Sequence, residues 1–418
     1  MSKELNVDEK LLKEVIGNEN AEILNLEVKD FIEVGINFTG ILRGAKFSAK
    51  ASGEERAYDI VLKFARKMVT PGLDLAGTLF HKEISFYRKF IPCIENWQKE
   101  KFGSIKISIP CPNSLFGCLE RRILVLDNLK QYGFKNALKR YGLNFERCCL
   151  TIERIAAFHA LGVAFVQDYG ESSFISDFDY LQDKFISFFE NEAMVQYMRD
   201  MDAKMLDSVS RLLMTAYPEE ADDIKDMIIY GKKHHVPDNI KKYLLPNAKL
   251  NVIGHGDLWI SNIMFKLDEQ ENAIDVLFVD YQVLRYSTPA SDLIYFVWMS
   301  ADKDVLVNKQ DEILEIYHRT LKSELQMLNI ELFYTLNDLK EDYYSLIDFG
   351  IVQCLKTSLL SDATNEDSFH IDEAENTISE ESLTGMVDKV DQLANVASEV
   401  VKDKLINVVR YGKQMKLY

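Results

Sequence analysis

The chain has 418 residues, 47% hydrophobic and 28% charged, which suits one two-lobed globular unit or two to three ordinary domains. A formal net charge of −17 disfavours a protein that tracks nucleic-acid phosphates or docks on an anionic membrane surface. The six cysteines (Cys93, Cys111, Cys118, Cys148, Cys149 and Cys354) form no CxxC pair and match no zinc spacing, so they read as reduced, mostly buried thiols.

The charged N-terminus, MSKELNVDEKLLKEVIG, does not have the pattern of a secretory signal. No stretch of about 18 apolar residues stands out, so no membrane span is expected, and the expected location is cytoplasmic. Residues 1–30 read as helical from the spacing of Leu11, Leu12, Val15 and Ile16. From Phe31 the chain is rich in Gly, β-branched and aromatic residues; with the turn Ser52-Gly53-Glu54 and the run RAYDIVLKFA this predicts two or three antiparallel strands. A helix is expected over Leu75–Phe90, with Phe80, Ile84 and Tyr87 on one face, then two further strands in IPCPNSLFG and RRILVLDNL.

Beyond about Asn136 the pattern turns helical. LTIERIAAFHALGVAFVQ is the clearest amphipathic helix, and Asp177–Tyr243 reads as mostly helical. Short apolar strands in KLNVIGHGDLWISNIMF and IDVLFVDYQVL interrupt it, and helices resume from Asp292 to the C-terminus, apart from an acidic loop over Thr364–Ser382. The outline is α+β: a small strand-rich lobe crossed by one helix (residues 1–130) and a large, mostly helical lobe (131–418), meeting near Leu129–Gly133.

The strongest chemical signal is His255-Gly256-Asp257-Leu258-Trp259-Ile260-Ser261-Asn262, followed 23 positions after Asp257 by Asp280 at the end of an apolar run. Phosphoryl transfer needs a carboxylate beside the attacking hydroxyl, and a second carboxylate with an amide oxygen to hold Mg²⁺ on the phosphates. Asp257, Asp280 and Asn262 supply that set, and the D-x4-N spacing matches the protein-kinase catalytic loop. A lone H-G-D is usually a turn and a lone Asp after a strand usually a cap; it is the ordered combination that points to chemistry. Upstream, Lys63 on an apolar strand is the candidate partner of phosphate oxygens and Glu83 its candidate ion-pair partner, although each alone reads as a surface residue. In the loop Gly35-Ile36-Asn37-Phe38-Thr39-Gly40, the residues Gly35, Asn37, Phe38, Thr39 and Gly40 are candidates to cover phosphates with backbone N–H groups. Backbone at Asp127 and Leu129 is the candidate adenine contact. His159 reads as a structural residue under the loop, Asp292 as a helix cap or an anchor for the loop backbone, and Trp259 and Tyr281 as residues flanking the site.

Taken together, HGDLWISNIMF, VDYQ, GINFTGILR, the Lys63 strand, FHKEISFYRKFIP, LVLDNL, AAFHAL and PASDLIYF resemble the ecdysteroid kinase-like family, over about Gly35 to Met299. The resemblance implies a protein-kinase-like two-lobed fold, use of ATP and Mg²⁺, and a small-molecule alcohol such as a steroid as acceptor. Asp127-Asn128 departs from the Glu-Asp often found at the hinge of family members. A choline-, aminoglycoside- or sugar-type kinase and a non-catalytic pseudokinase are the alternatives; the latter usually lacks the lysine or an aspartate that are present here.

Overall fold

The computed structural model describes residues 7–30, 40–65, 67–68, 74–182, 190, 192–234, 236–247, 249–362, 377–378 and 390–418. Gly35, Asn37, Phe38 and Thr39 lie outside these residues, as does most of the acidic stretch Thr364–Ser382.

Asp8 starts the first helix, Glu9–Val15, by accepting a hydrogen bond from the Leu11 N–H at 2.9 Å. Gly17, with φ +68°, follows its end. Residues 22–30, expected to be helical, instead form strand β1 (Glu22–Asp30), antiparallel to β2 (Gly40–Ala51). Helical spacing holds only for Leu11–Ile16, and beyond Gly17 pairing with the neighbouring strand decides the conformation. The register slips between Leu24 and Glu27, where Asn25 takes φ +52°.

β2 pairs with β3 (Glu54–Ala65) through the tight turn at Ser52-Gly53. Two residues later Lys67–Met68 (β4) pairs in parallel with Thr377–Ile378 (β12). β5 (Ser114–Cys118) and β6 (Ile123–Asp127) complete a five-stranded sheet of order β1-β2-β3-β6-β5. One face of β3 presents Ile60, Leu62 and Phe64 to a small core shared with Leu11, Leu12 and Val15 of the first helix. Val61, Lys63 and Ala65 therefore face the other way, by the two-residue alternation of a strand.

The helix Leu75–Ser85 crosses that second face, continues through one π-helical turn (Phe86–Phe90), and runs on as Ile91–Phe102. The chain passes to the large lobe through a 3₁₀ turn, Leu129–Tyr132, and β7 (Phe134–Asn136) already pairs with the large lobe's β9 (Ile263–Leu267). β10 (Ala273–Phe278) joins β9 as a hairpin, while β8 (Val252–Gly254) pairs with β11 (Arg285–Ser287). The helix Phe145–Tyr169 packs along Gln310–Met327 in the core. Its length and composition would suit a membrane span, contrary to the expectation that no such stretch exists, yet 67% of its apolar window is buried inside the protein.

Candidate active site

Lys63 sits in the middle of β3, paired with Leu42 on one side and Leu124 on the other, so its backbone is fixed from both neighbours. Its side chain leaves the sheet toward the helix Leu75–Ser85, where the ammonium lies 2.7 Å from Glu83 Oε2 and 2.7 Å from Asp280 Oδ1. Two carboxylates separated by 197 positions in sequence thus meet on one buried lysine. Burial alone would weaken the lysine's hold on its proton, but Asp280 and then Glu83 outweigh it, so Lys63 is held charged. Glu83 is fully buried; desolvation pushes its carboxyl up, and the lysine pulls against that.

Asp280 ends the hairpin that begins at β9, and takes a left-handed backbone, φ +68°. For a non-glycine residue this costs about 1–2 kcal/mol, and such strain concentrates at functional positions. Its other carboxylate oxygen accepts from Gln282 Nε2 at 3.2 Å. Tyr281 is fully buried, stacks on Phe86 at 4.4 Å between ring centroids, and donates its hydroxyl to Pro110 O at 3.0 Å. Tyr281 therefore belongs to the packing under the site rather than to its open side.

The loop between β8 and β9 carries Asp257 and Asn262. Asn262 Nδ2 donates to both Asp257 O and Asp257 Oδ2 at 2.9 Å, and Asn262 O accepts from the Val279 N–H at 2.9 Å. The Asn262 side-chain amide thereby ties the loop to itself, and its backbone carbonyl ties the loop to the residue before Asp280. With its NH₂ so used, the Asn262 side-chain oxygen remains as an acceptor for another partner. Asp257 is pushed up to about 7, first by burial and then by the charge of Asp280, while hydrogen bonds from Tyr295 and Asn262 and the nearby Arg285 oppose the shift.

The loop's backbone hangs on Asp292, from the helix Pro289–Ser300. Its carboxylate accepts from His255 N at 2.6 Å and Gly256 N at 2.8 Å, and His159 Nε2 stands 3.2 Å away. Of the two readings left open for Asp292, cap or anchor, the loop-anchoring contacts are those observed. His159 reaches Tyr317 OH at 2.8 Å on its other nitrogen, which places it beneath the loop as a structural residue. His255 Nε2 lies 3.0 Å from Val279 O; a carbonyl only accepts, so Nε2 carries the hydrogen and Nδ1 accepts from Asp257 N at 3.3 Å. Burial lowers the pKa of His255 and keeps this neutral form. Gly256 has φ +81°, and a Cβ there would lie 2.1 Å from Val283 O, so the turn admits no side chain.

Gly40 opens β2 beside the lysine; a Cβ on it would meet Lys63 Cε at 3.4 Å. Asp127 and Leu129 sit farther along, at the end of β6 and in the turn that leads to the large lobe. Asp127 pairs with Ile60, three residues from Lys63 and so about 10 Å along β3. The Asp127 N–H donates to Asn113 O at 2.9 Å, and its carboxylate accepts from Asn113 Nδ2 at 2.9 Å. Leu129 buries its side chain with Phe134 and Met264. Asn128 donates to Asp59 Oδ1 at 2.8 Å, which fixes the crossover to the sheet. A separate open depression of about 340 Å³ is lined by Lys46, Phe47, Tyr58, Asp59 and Gln131, residues remote from the Lys63 cluster in the sheet register.

Sequence reasoning missed Lys82, Gln282, Arg285 and Tyr295. Tyr295 was findable: three residues after Asp292 on a helix, it shares the face that holds the loop. Arg285 lies over the Tyr243 ring at 4.9 Å, a contact between segments 42 positions apart that no local pattern announces.

The sequence pattern of the ecdysteroid kinase-like family matches residues 35–330. The chain belongs to this family, and its class is that of the small-molecule kinases. No curated protein matches it. Among solved structures, a spectinomycin phosphotransferase in complex with ADP and spectinomycin is similar with a TM-score of 0.40 and 11% identity, over 95% of this chain and 97% of that one.

Proposed function

We propose that this member of the ecdysteroid kinase-like family transfers the γ-phosphoryl group of ATP to the hydroxyl of a small, largely apolar alcohol, an ecdysteroid or a relative of one. The observation that carries this reading is the convergence of Glu83 and Asp280 on Lys63, each at 2.7 Å, beside a loop that ties Asp257 to Asn262. Trp259, two residues past Asp257 and half-buried against the core, is the aromatic side chain proposed to meet an apolar acceptor.

The donor set also fits a divalent cation. Glu83 and Asp280 meet on the buried Lys63, and the charge of Asp280 is felt in turn by Asp257, beside Arg285, so three carboxylates contribute negative charge to the site. Among the described residues no cluster of three His, Cys, Asp or Glu could hold a metal alone. Asp280 and the Asn262 oxygen offer two hard oxygen ligands, which suits Mg²⁺, an ion that completes its shell with water and substrate phosphates. When bound, Mg²⁺ neutralises charge on the transferring phosphates.

The protein's own groups then have defined tasks. Lys63, held charged and steered by Glu83, pairs with phosphate oxygens. Asp257 orients the acceptor hydroxyl and takes its proton as the new O–P bond forms and the bond from the γ-phosphorus to the β-bridging oxygen breaks, releasing ADP. The loop proposed to cover the phosphates, Gly35–Gly40, lies outside the described residues except for Gly40, which flanks Lys63, and backbone near Asp127 and Leu129 is the proposed adenine contact.

The test is incubation with labelled ATP, Mg²⁺ and a panel containing ecdysteroids, choline, an aminoglycoside and simple sugars, with product identification. Phosphorylation of an ecdysteroid or another apolar alcohol is expected; a product from choline, aminoglycoside or sugar alone refutes the acceptor class, and no product with any alcohol refutes the kinase. Asp257→Asn is expected to leave Mg·ADP binding within about twofold and to lower transfer by about two to four orders of magnitude.

A further inference from the structure

The helix Leu75–Ser85 faces two ways at its C-terminal turn. Glu83 points to the small lobe's Lys63. Lys82, about 100° around the helix, points into the large lobe, where it is 3% exposed. Its ammonium donates to Leu284 O at 2.9 Å and to Gln182 O at 3.3 Å. Leu284 lies four residues beyond Asp280 on the same short segment. A buried ammonium is costly unless hydrogen-bonded, so this contact holds the helix to the segment firmly. Tyr281 closes the same joint on its apolar side by stacking on Phe86, in the π-helical turn that follows the helix; such turns recur at functional places.

We infer that Lys82 is a positioning residue: it clamps the glutamate helix onto the Asp280–Leu284 segment, so that Glu83, Lys63 and Asp280 stand assembled before nucleotide arrives. Lys82 touches no reacting atom and acts through Glu83 and Lys63. Its effect on the reaction rests on the kinase reading; the clamp does not.

Two measurements separate these parts. In hydrogen exchange, Lys82→Met, which keeps the stem and removes the donor, is expected to speed exchange of the Phe80–Tyr87 amides about 10- to 100-fold, the range for loss of a hydrogen bond to a charged group. Amides of the core helix Phe145–Tyr169 are expected to stay unchanged. In transfer kinetics with whichever acceptor the panel identifies, the same variant is expected to lower kcat about tenfold or more, with the KM for ATP within about twofold. In a Glu83→Gln background it should cause no further loss of kcat, because both changes act through Lys63; a merely destabilising change would give additive losses. Lys82→Gln, which retains a neutral donor, gives the same pattern in smaller measure and serves if Lys82→Met fails to fold. Unchanged exchange over Phe80–Tyr87 overturns the clamp. Transfer by the wild-type protein with unchanged kcat in Lys82→Met overturns the positioning role. A wild-type protein that phosphorylates nothing overturns the kinase reading and the role in it, while exchange alone then decides the clamp.

Discussion

Asp292→Asn tests how the loop carrying Asp257 is held. The wild-type carboxylate takes His255 N at 2.6 Å, Gly256 N at 2.8 Å and His159 Nε2 at 3.2 Å, all at a site 2% exposed. Asparagine has the same shape but one acceptor oxygen, so its NH₂ must face one of these N–H donors. One hydrogen bond to a charged acceptor is lost, worth about 1.5–3 kcal/mol, and the others fall to neutral strength, roughly 0.5–1.5 kcal/mol less each. The sum is about 2.5–6 kcal/mol. Unfolding entropy of about 2.1 cal/mol/K per residue over 418 residues gives about 0.9 kcal/mol/K, hence a Tm lower by about 3–7 °C. Thermal melts at pH 7 followed by circular dichroism measure it. Burial raises the Asp292 pKa, but the His159 hydrogen bond and the other partners outweigh it and hold the carboxyl below its ordinary range. Its folded pKa being depressed, the stabilisation is complete above the unfolded value near 3.9 and is lost as pH falls through the folded one, so the gap between variant and wild type should persist at pH 6. A Tm within 1 °C of wild type at pH 7 would refute the anchoring argument.

Because Asp257 is raised to about 7 and acts as a carboxylate, kcat/KM should climb with pH to a plateau, half-maximal near 7; a pH profile flat from 5.5 to 8 would contradict its role. Bound cation favours the carboxylate, so the corresponding limb in kcat should lie at lower pH. Gly256→Ala places a methyl 2.1 Å from Val283 O in a backbone at φ +81°, and should cost about 2 kcal/mol or more and lower transfer at least tenfold; activity within twofold of wild type would show that the turn is not needed. Removing divalent cations with EDTA should abolish transfer and leave the far-UV spectrum intact, with recovery on adding Mg²⁺; undiminished turnover in EDTA would rule out the cation role of Asp280 and Asn262.

Local chemistry made much of this protein legible from its residues. The period-two pattern of RAYDIVLKFA defines β3, and the same alternation that buries Leu62 and Phe64 turns Lys63 to the opposite face. HGDLWISN and the aspartate after VLFV are short, polar and strand-flanked, so their grouping needed only neighbouring elements. Strand β1 was missed because Glu22–Asp30 takes its conformation from pairing with β2, not from its own spacing. Tertiary structure alone decided that Glu83 and Asp280 share Lys63, that Asp292 anchors the loop, and that Lys82 crosses to Leu284 O over 202 positions. Sequence patterns report which face of an element is buried; which distant charge meets another depends on how helices and hairpins pack, and that is set by the whole core.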